Sequence, residues 1–273
     1  ELIESSTMAQ LLERLGQLPV RAPGGSAANT IFGLAQLGLK TALLGRLGDD
    51  ENGRFYARQF REVGGDCSRL RVAPDLPTAC CLSLVTPDSE RTLRTHLGAA
   101  ATLRPEEISS ADFGGFGHVH VEGYLLFNRE LAAAVLAAAK NAGCSISLDL
   151  PSFEMVRASK EFLLELLGRY VDMAFANEDE AASLTGQTRP EKAIELLAEH
   201  CKLAAVKLGK EGAWLMAGGE KVRIRPVRAE RVVDTTGAGD CWAAGFLYAY
   251  LNESTLEVSG RCASILGAEA VQN

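Results

Sequence analysis

An aspartate at the start of a glycine-rich helix is the part of this sequence best suited to catalysis. Residues 234–240 read Asp-Thr-Thr-Gly-Ala-Gly-Asp, and the helix-forming segment 241–251 follows them. Because residues 237–239 are small, their backbone N–H groups at the helix start form an anion site that a phosphate can approach closely. Asp240 is either an acid that caps this helix or a general base for an attacking hydroxyl. N–H donors beside a carboxylate are what phosphoryl transfer needs.

A second glycine-rich segment precedes an amphipathic helix nearer the amino terminus. Residues 24–29 read Gly-Gly-Ser-Ala-Ala-Asn. The paired glycines let the backbone approach a ligand, and the Asn29 amide can both donate to and accept from a polyol hydroxyl. An ordinary helix start with Ser26 as its cap explains the same residues, and the segment by itself leaves both interpretations open.

Alternating helical and strand-like segments must position these two motifs. From about residue 24 the alternation predicts a layered α/β fold with a mostly parallel sheet. The predicted strands lie at 40–44, 118–125, 145–150, 174–177, 204–208 and 231–233. The predicted helices lie at 26–37, 53–63, 129–142, 178–184, 190–200, 241–251 and 256–271.

One stretch interrupts the alternation with a predicted hairpin. Residues 78–86 and 91–97 are β-rich, and Pro-Asp-Ser-Glu at 87–90 supplies a turn. Two strands alone are marginally stable, so the hairpin is expected to pack as a lid over a ligand or as a subunit contact. We therefore expect a main domain of residues 23–70 and 98–273, and a small lid region of residues 1–22 and 71–97.

Composition and charge restrict the partners. The chain has 273 residues, 47% hydrophobic and 23% charged, with a net charge of −7, which disfavours nucleic acid and anionic membrane surfaces. The first residues lack a signal-peptide pattern and no apolar run reaches a membrane span, so a cytoplasmic location is expected. The seven cysteines form no C-x-x-C pair and predict reduced, mostly buried thiols. The four histidines show no zinc-ligand spacing, although His118 and His120 could share one strand face.

Three segments in the same order resemble the two signatures of the ribokinase or PfkB carbohydrate-kinase family. They are residues 24–29, the Gly-Arg-Leu-Gly-Asp-Asp-Glu-Asn-Gly stretch at 45–53, and residues 234–240. The resemblance covers nearly the whole chain and implies a three-layer, Rossmann-like (ribokinase-like) α/β fold with a small β lid. Residues 147–153 and 91–100 are most similar to the adenosine-kinase-like branch. The resemblance implies an ATP-dependent kinase that phosphorylates a hydroxyl of a sugar or nucleoside, with an adenosine-kinase-like acceptor favoured.

The family also implies roles for individual residues. The implied catalytic residues are Asp240 as the base and Gly237, Ala238 and Gly239 as the anion hole. The implied acceptor-binding residues are Gly24, Gly25, Asn29 and, from the hairpin, Arg94. The implied nucleotide-binding residues are Asn177, Glu180, Lys207, Gly209, Gly212, Ala263 and Gly267. Glu180 would also organise Mg²⁺, and a monovalent cation is a further candidate cofactor.

Structural explanations exist for several of these residues. Asn177 can be the cap of a helix, and residues 207–212 can be a turn with surface lysines. Ala263 and Gly267 can serve helix packing, and Arg94 can be a solvated charge on the hairpin. The family's aspartate on the amino-terminal strand, which binds acceptor hydroxyls, has no counterpart that we can find in this sequence.

Other classes of protein fit less well. The sequence has no G-x-x-x-x-G-K-[ST] motif of a P-loop kinase and no G-x-G-x-x-G dinucleotide fingerprint. A ribokinase-like or fructokinase-like sugar kinase is the alternative within enzymes. A non-catalytic sugar or nucleoside sensor with the same fold is the alternative of another class, although Asp240 and Glu180 argue against it. The expected partner is a small molecule, and the chain is expected to be a monomer or a homodimer.

Overall fold

The structure, a computed structural model, describes residues 1–16, 19–85 and 91–272. They form two compact units, one of residues 1–28 and 40–103, the other of residues 29–39 and the described residues from 104 onward. The division expected from the sequence differs, since it places 23–70 with the larger domain. In the structure, strand 45–48 pairs with strand 70–73, and both lie in the smaller unit. The expected main domain of residues 23–70 and 98–273, with a lid region of residues 1–22 and 71–97, stays a prediction.

The described residues contain the following elements. The strands are β1 (Gly45–Gly48), β2 (Leu70–Ala73), β3 (Cys80–Val85), β4 (Arg91–His96), β5 (His118–Glu122), β6 (Ser145–Asp149), β7 (Met173–Asn177), β8 (Leu203–Lys207), β9 (Ala213–Ala217) and β10 (Glu220–Ile224). The helices are α1 (Ser5–Arg14), α2 (Ser26–Gln36), α3 (Glu51–Glu62), α4 (Arg129–Asn141), α5 (Phe153–Ala158), α6 (Lys160–Tyr170), α7 (Glu178–Thr185), α8 (Pro190–Leu197), α9 (Ala238–Leu251) and α10 (Leu256–Ala270).

The larger unit is built on a six-stranded sheet with the strand order β10-β9-β8-β7-β6-β5. Strands β5 to β8 run parallel, whereas β9 and β10 are antiparallel at one edge. The first four residues of β7 and of β8 are buried, because parallel strands in α/β folds are covered by helices. The predicted mostly parallel α/β fold is therefore confirmed.

Helix α9 lies in the core of the larger unit. Its Trp242 and Phe246 rings stack with centroids 5.6 Å apart, and Phe246 meets Phe175 of β7 edge to face at 5.4 Å. Gly245 allows α10 to pack closely, since a Cβ there would stand 2.9 Å from the Cα of Ala263. The core contacts hold α9 firmly, so the position of its first turn is fixed by the fold.

Two predicted strands are wrong. Residues 40–44 form no strand, because Ala42 makes only an isolated bridge with Asp66 and β1 begins at Gly45. Residues 231–233 are irregular: the Val233 N–H bonds to the Val271 carbonyl at 2.8 Å, and Val232 is 67% exposed. Valine favours strands only where a neighbouring strand can cover it, and these valines have no strand partner.

The β9–β10 hairpin and helix α6 escaped the prediction from sequence. The hairpin turns at Gly218 and Gly219, whose φ angles are +57° and +84°. Paired glycines at such angles are the usual signal of a tight hairpin. Helix α6 follows the short helix α5 directly, with Ser159 between them.

The smaller unit contains the predicted hairpin. Strands β3 and β4 pair antiparallel from Cys80 opposite His96 to Val85 opposite Arg91. The predicted turn at 87–90 lies outside the described residues. Leu2 forms a parallel bridge with Thr95, so the first residues extend the hairpin by a short third segment. In the described part of the chain, no helix is long and apolar enough to cross a membrane.

Candidate active site

Polar side chains gather at the carboxyl ends of the parallel strands of the larger unit. Asp149 ends β6, Asn177 ends β7 and Lys207 ends β8. Register pairs Asn177 directly with Lys207. Because ligands of open α/β sheets bind outside the carboxyl ends of the strands, this edge is the expected location of a site.

The first turn of α9 supplies backbone donors beside this edge. Gly237 adopts the left-handed conformation, with φ +74°, and its carbonyl accepts the Cys241 N–H at 2.8 Å. Glycine suits this angle, and the chain there turns directly into the helix. The Ala238 N–H reaches the Thr235 carbonyl at 3.3 Å, while Gly239 lies within the first turn, where N–H groups lack partners inside the helix. The turn therefore has the form of an anion site.

Asp240 is held by helix α2. The Asn29 side-chain amide donates to Asp240 Oδ2 at 2.8 Å. Residues 29 and 240 both belong to the larger unit. Asn29 is a predicted acceptor-binding residue, and this contact also orients the carboxylate of the candidate base.

Thr30 is a residue that the sequence analysis did not identify. Its Oγ1 donates to the backbone carbonyl of Asp240 at 3.1 Å, and the residue is fully buried. Asn29 and Thr30 together hold both the side chain and the main chain of Asp240. A polar residue inside an otherwise apolar helix face was the available signal, since a buried hydroxyl needs a hydrogen-bond partner.

Lys207 and Asp149 form a buried ion pair near the same helix turn. The Lys207 ammonium bonds to both carboxylate oxygens of Asp149, at 2.8 and 2.9 Å. A Cβ on Gly239 would stand 3.4 Å from Lys207 Nζ, so the ammonium lies close to the anion site. Burial lowers the pKa of Lys207, but the surrounding carboxylates, Asp149 first, raise it more, and the net shift is upward. Asp149 carried no predicted role.

Asn177 and Glu180 form a capping box at the start of α7. The Asn177 side chain accepts the Glu180 N–H at 2.9 Å, and Glu180 accepts the Asn177 backbone and side-chain N–H groups at 2.8 and 2.7 Å. The structural explanation of Asn177 as a cap is therefore present. Burial raises the pKa of Glu180 to about 7, against the opposing effect of the Lys207 ammonium.

The turn after β8 contains the two glycines that were expected to contact nucleotide. Gly209 and Gly212 have φ angles of +50° and +90°, and the Gly212 N–H bonds to the Gly209 carbonyl at 3.1 Å. A Cβ on Gly212 would collide with the Ile224 carbonyl of β10. Close approach of β10 explains Gly212, and contact of either glycine with nucleotide stays a prediction.

Ala263 and Gly267 of α10 pack on α9. Ala263 is fully buried, and a Cβ on Gly267 would stand 3.4 Å from Trp242 Cδ1. Helix packing therefore accounts for both residues. Their predicted position near adenine stays a prediction.

The other expected acceptor-binding residues belong to the smaller unit. The Gly24 carbonyl accepts the Tyr56 hydroxyl at 3.3 Å, and Gly25, with φ +108°, precedes α2. The Arg94 guanidinium pairs with the Glu1 carboxylate at 3.3 Å. Contacts of these residues with an acceptor stay predictions.

The carboxylates of the site fit a metal ion that is bound mainly by phosphate. Among the described residues there is no group of three or more histidine, cysteine or acidic side chains that could hold a metal. Mg²⁺ in phosphoryl-transfer sites keeps several waters and is typically held by one or two carboxylates together with the substrate phosphates. Glu180 fits such a ligand set, and a dedicated protein cage is not required.

The chain is similar to known proteins over most of its length. The sequence model of the pfkB family carbohydrate kinases matches residues 10–273. The 2-dehydro-3-deoxygluconokinase of Bacillus subtilis (strain 168) is 30% identical over 259 residues, covering 91% of this chain and 80% of the relative. The ATP-dependent ribose-1-phosphate kinase of Halopiger xanaduensis is 30% identical over 265 residues, covering 95% of this chain and 85% of the relative.

A solved structure is similar over the whole chain. The adenosine kinase from Sinorhizobium meliloti has a TM-score of 0.89 and 34% sequence identity, and the match covers 100% of this chain and 84% of that one. The names of these relatives refer to different acceptors, so similarity alone does not select one.

Proposed function

Because this chain belongs to the pfkB family of carbohydrate kinases, which are phosphotransferases acting on hydroxyl groups, we propose that it transfers the γ-phosphoryl group of ATP to a sugar or nucleoside. The observation that carries the proposal is the Asp240 carboxylate in the first turn of α9, held at 2.8 Å by the Asn29 amide. A carboxylate fixed beside an anion site is the arrangement that phosphoryl transfer needs.

The proposed reaction uses Asp240 as the general base. Asp240 takes the proton of the acceptor hydroxyl while the hydroxyl oxygen bonds to the γ-phosphorus. The bond between that phosphorus and the bridging oxygen breaks, and ADP leaves with the electron pair. N–H groups of the α9 first turn, at Gly237, Ala238 and Gly239, stabilise the charge on the transferred group.

ATP and Mg²⁺ are the proposed cosubstrate and metal. The name of the Halopiger xanaduensis relative supports ATP as the donor. We assign the nucleotide side of the site to Asn177, Glu180, Lys207 and the 209–212 turn. A bound Mg²⁺ ion would neutralise charge on the phosphates, with Glu180 as its protein ligand. A monovalent cation has no support from the relatives and stays a prediction.

Adenosine is the proposed acceptor, and a sugar is the second candidate. The similarity to the Sinorhizobium meliloti adenosine kinase, at 34% identity, supports the nucleoside. The similarity to the Bacillus subtilis 2-dehydro-3-deoxygluconokinase, at 30% identity, supports a sugar acid. Asn29 is proposed to contact the acceptor, and Gly24, Gly25 and Arg94 of the smaller unit stay predicted acceptor-binding residues.

A coupled assay of ADP formation tests the function. The purified protein is given MgATP and, separately, adenosine, other nucleosides, ribose, ribose 1-phosphate, fructose and 2-keto-3-deoxygluconate. Saturable turnover with adenosine alone supports the nucleoside assignment, and turnover with a sugar alone selects the second candidate. Tight binding of one compound without any turnover would support the non-catalytic sensor and contradict the proposed kinase.

The free thiols support the proposed cytoplasmic setting, and the net charge supports the proposed kind of substrate. All seven cysteines are free, which supports a reducing compartment such as the cytoplasm. The net charge of −7 supports a small-molecule substrate over a nucleic acid. A monomer and a homodimer are both compatible with the proposal, and light scattering separates them.

A further inference from the structure

A buried ion pair lies beneath the anion site, and one of its members has no role in the proposed reaction. Asp149 is 7% exposed, and the Lys207 side chain is 14% exposed. Both carboxylate oxygens of Asp149 accept from the Lys207 ammonium, at 2.8 and 2.9 Å. The pair joins the ends of β6 and β8 across the intervening strand β7. Removing two charges from water is costly, so a pair at this place calls for an explanation.

The ammonium of this pair faces the first turn of α9. Lys207 Nζ would be 3.4 Å from a Cβ on Gly239, so the main chain of the anion site is its close neighbour. An ammonium has three N–H donors, and the two bonds to Asp149 use two of them. The third is available for an oxygen atom held at the helix start.

The groups around Lys207 keep it positively charged. The charged and titratable groups that face it are Asp149 on β6, Glu180 on α7, Asp240 on α9 and His120 on β5. Burial favours the neutral amine, but the three carboxylates more than offset burial, so the pKa of Lys207 is raised. His120 adds no positive charge, since burial and then the Lys207 ammonium lower its pKa to about 3.

We propose that Asp149 is a positioning residue that fixes the Lys207 ammonium beside the first turn of α9, where the ammonium binds an oxygen of the transferred phosphoryl group. This inference rests on the proposed function. A fixed cation at the point where charge is concentrated in the transition state needs no reorganisation during the reaction. The carboxylate of Asp149 has two effects. It compensates the cost of burying the Lys207 ammonium, and it restricts the direction of the third N–H of Lys207.

Four variants separate this role from a purely structural one. Lys207→Met removes the cation, Asp149→Asn removes its partner, and the double variant removes both charges together. The double variant leaves no uncompensated buried charge, so it should lose less stability than either single variant and keeps the fold testable if a single variant does not fold. Lys140→Met is the control, because Lys140 of α4 pairs at 2.8 Å with Asp172, which directly precedes β7 at the amino ends of the parallel strands.

Turnover and its pH dependence give the first result. We expect kcat to fall by roughly 10² to 10³ in Lys207→Met and in the double variant, with Lys140→Met unchanged. In Asp149→Asn, the buried amine lacks its main partner and loses its proton more easily. Its activity should therefore be lost at a lower pH than that of the wild type as the pH rises. A double variant that is folded and as active as the wild type would overturn the proposal.

Nucleotide binding gives a second result that does not depend on the acceptor. Calorimetry with MgATP and MgADP measures whether Lys207 contacts the terminal phosphoryl group. We expect the double variant to bind MgATP at least about tenfold more weakly while MgADP binding is little changed. Equal weakening of both nucleotides would overturn the inference but leave the kinase assignment intact. A wild-type protein that binds neither nucleotide would overturn both.

Discussion

At the residue scale, the Asn29 amide and the Asp240 carboxylate act as one unit. The 2.8 Å hydrogen bond between them fixes the orientation of the Asp240 carboxylate. Thr30 adds a bond to the Asp240 backbone at 3.1 Å, so helix α2 contacts both the side chain and the main chain of Asp240. Positioning of this kind contributes much of an enzyme's rate, since small displacements of a base are costly.

Two substitutions of Asn29 test this unit. Asn29→Ala removes the bond and should lower kcat by roughly 10-fold to 10²-fold. Asn29→Asp places a second carboxylate beside Asp240, and two carboxylates at this distance share a proton. We therefore expect only Asn29→Asp to move the acidic limb of the pH–rate profile to higher pH. Identical profiles for the two variants would show that Asn29 does not contact the base during turnover.

Glu180 is the second residue whose chemistry can be tested by pH. Burial raises the pKa of Glu180 to about 7, so the protonated form predominates below pH 7 in the free protein. A carboxylate that binds Mg²⁺ must lose this proton. We expect MgATP to bind more tightly as the pH rises from 6 to 8, with proton release visible when calorimetry is repeated in buffers of different ionisation enthalpy.

The matched pair for this prediction is Glu180→Gln and Asp179→Asn. Asp179 is the neighbouring, exposed acid of the same helix turn. Glu180→Gln should abolish the pH dependence of MgATP binding, and Asp179→Asn should retain it. Proton release that persists in Glu180→Gln would assign the titrating group to another residue.

At the element scale, strands β5 and β6 are joined by a partly buried chain of polar side chains. Ser147 Oγ lies 2.8 Å from His118 Nε2 and 2.8 Å from His120 Nδ1, which confirms that the two histidines share a strand face. Ser145 donates to the Gly117 carbonyl, so it accepts from His118 Nδ1. Ser147 Oγ must then donate to His118 Nε2 and accept from His120 Nδ1, so both neutral rings carry their proton on Nδ1.

Ser147→Ala tests this chain. The substitution leaves a buried acceptor on His118 and a buried donor on His120 without their partner, and each unsatisfied group costs about 1 to 3 kcal/mol. We expect the free energy of unfolding, measured in urea, to fall by about 2 to 4 kcal/mol. Ser110→Ala, at an exposed position, should change it by less than about 0.5 kcal/mol. Equal stability of the two variants would mean that water replaces the Ser147 hydroxyl.

At the scale of the whole molecule, stability should depend on the two buried histidines. Burial, as the main cause, lowers the pKa values of His118 and His120 to about 3. Below pH 6.5 both histidines are protonated in the unfolded chain, whereas in the folded chain they stay neutral down to about pH 3. Stability from this source is therefore complete above pH 6.5 and is lost as the pH falls, by up to about 2 kcal/mol per histidine at pH 5.

Urea unfolding at pH 7 and pH 5 measures this loss. His118→Gln removes one titrating group and should reduce the difference between the two pH values by about half. His200→Gln, outside the β5–β6 chain, should keep the wild-type difference. A His118→Gln protein with the full wild-type difference would assign the acid sensitivity to other groups.

The local parts of the site could be predicted from the sequence because short-range patterns determine them. The Gly-Ala-Gly-Asp run fixes a helix start with a carboxylate, and the capping box of Asn177 and Glu180 spans four consecutive residues. The pairing of Asp149 with Lys207, 58 residues apart, depends on strand order and could not be predicted. For the same reason the sequence missed Thr30, whose partner lies 210 residues away.

The central claim is that Asp240 deprotonates an acceptor hydroxyl while ATP donates its γ-phosphoryl group. The most direct measurement is single-turnover phosphoryl transfer from MgATP to the acceptor that the assay identifies, in the wild type and in Asp240→Asn. We predict that the transfer rate falls by roughly 10² to 10⁴, while calorimetry shows acceptor and MgATP still bound with about the wild-type affinities. An Asp240→Asn protein that transfers phosphate at the wild-type rate would contradict the claim.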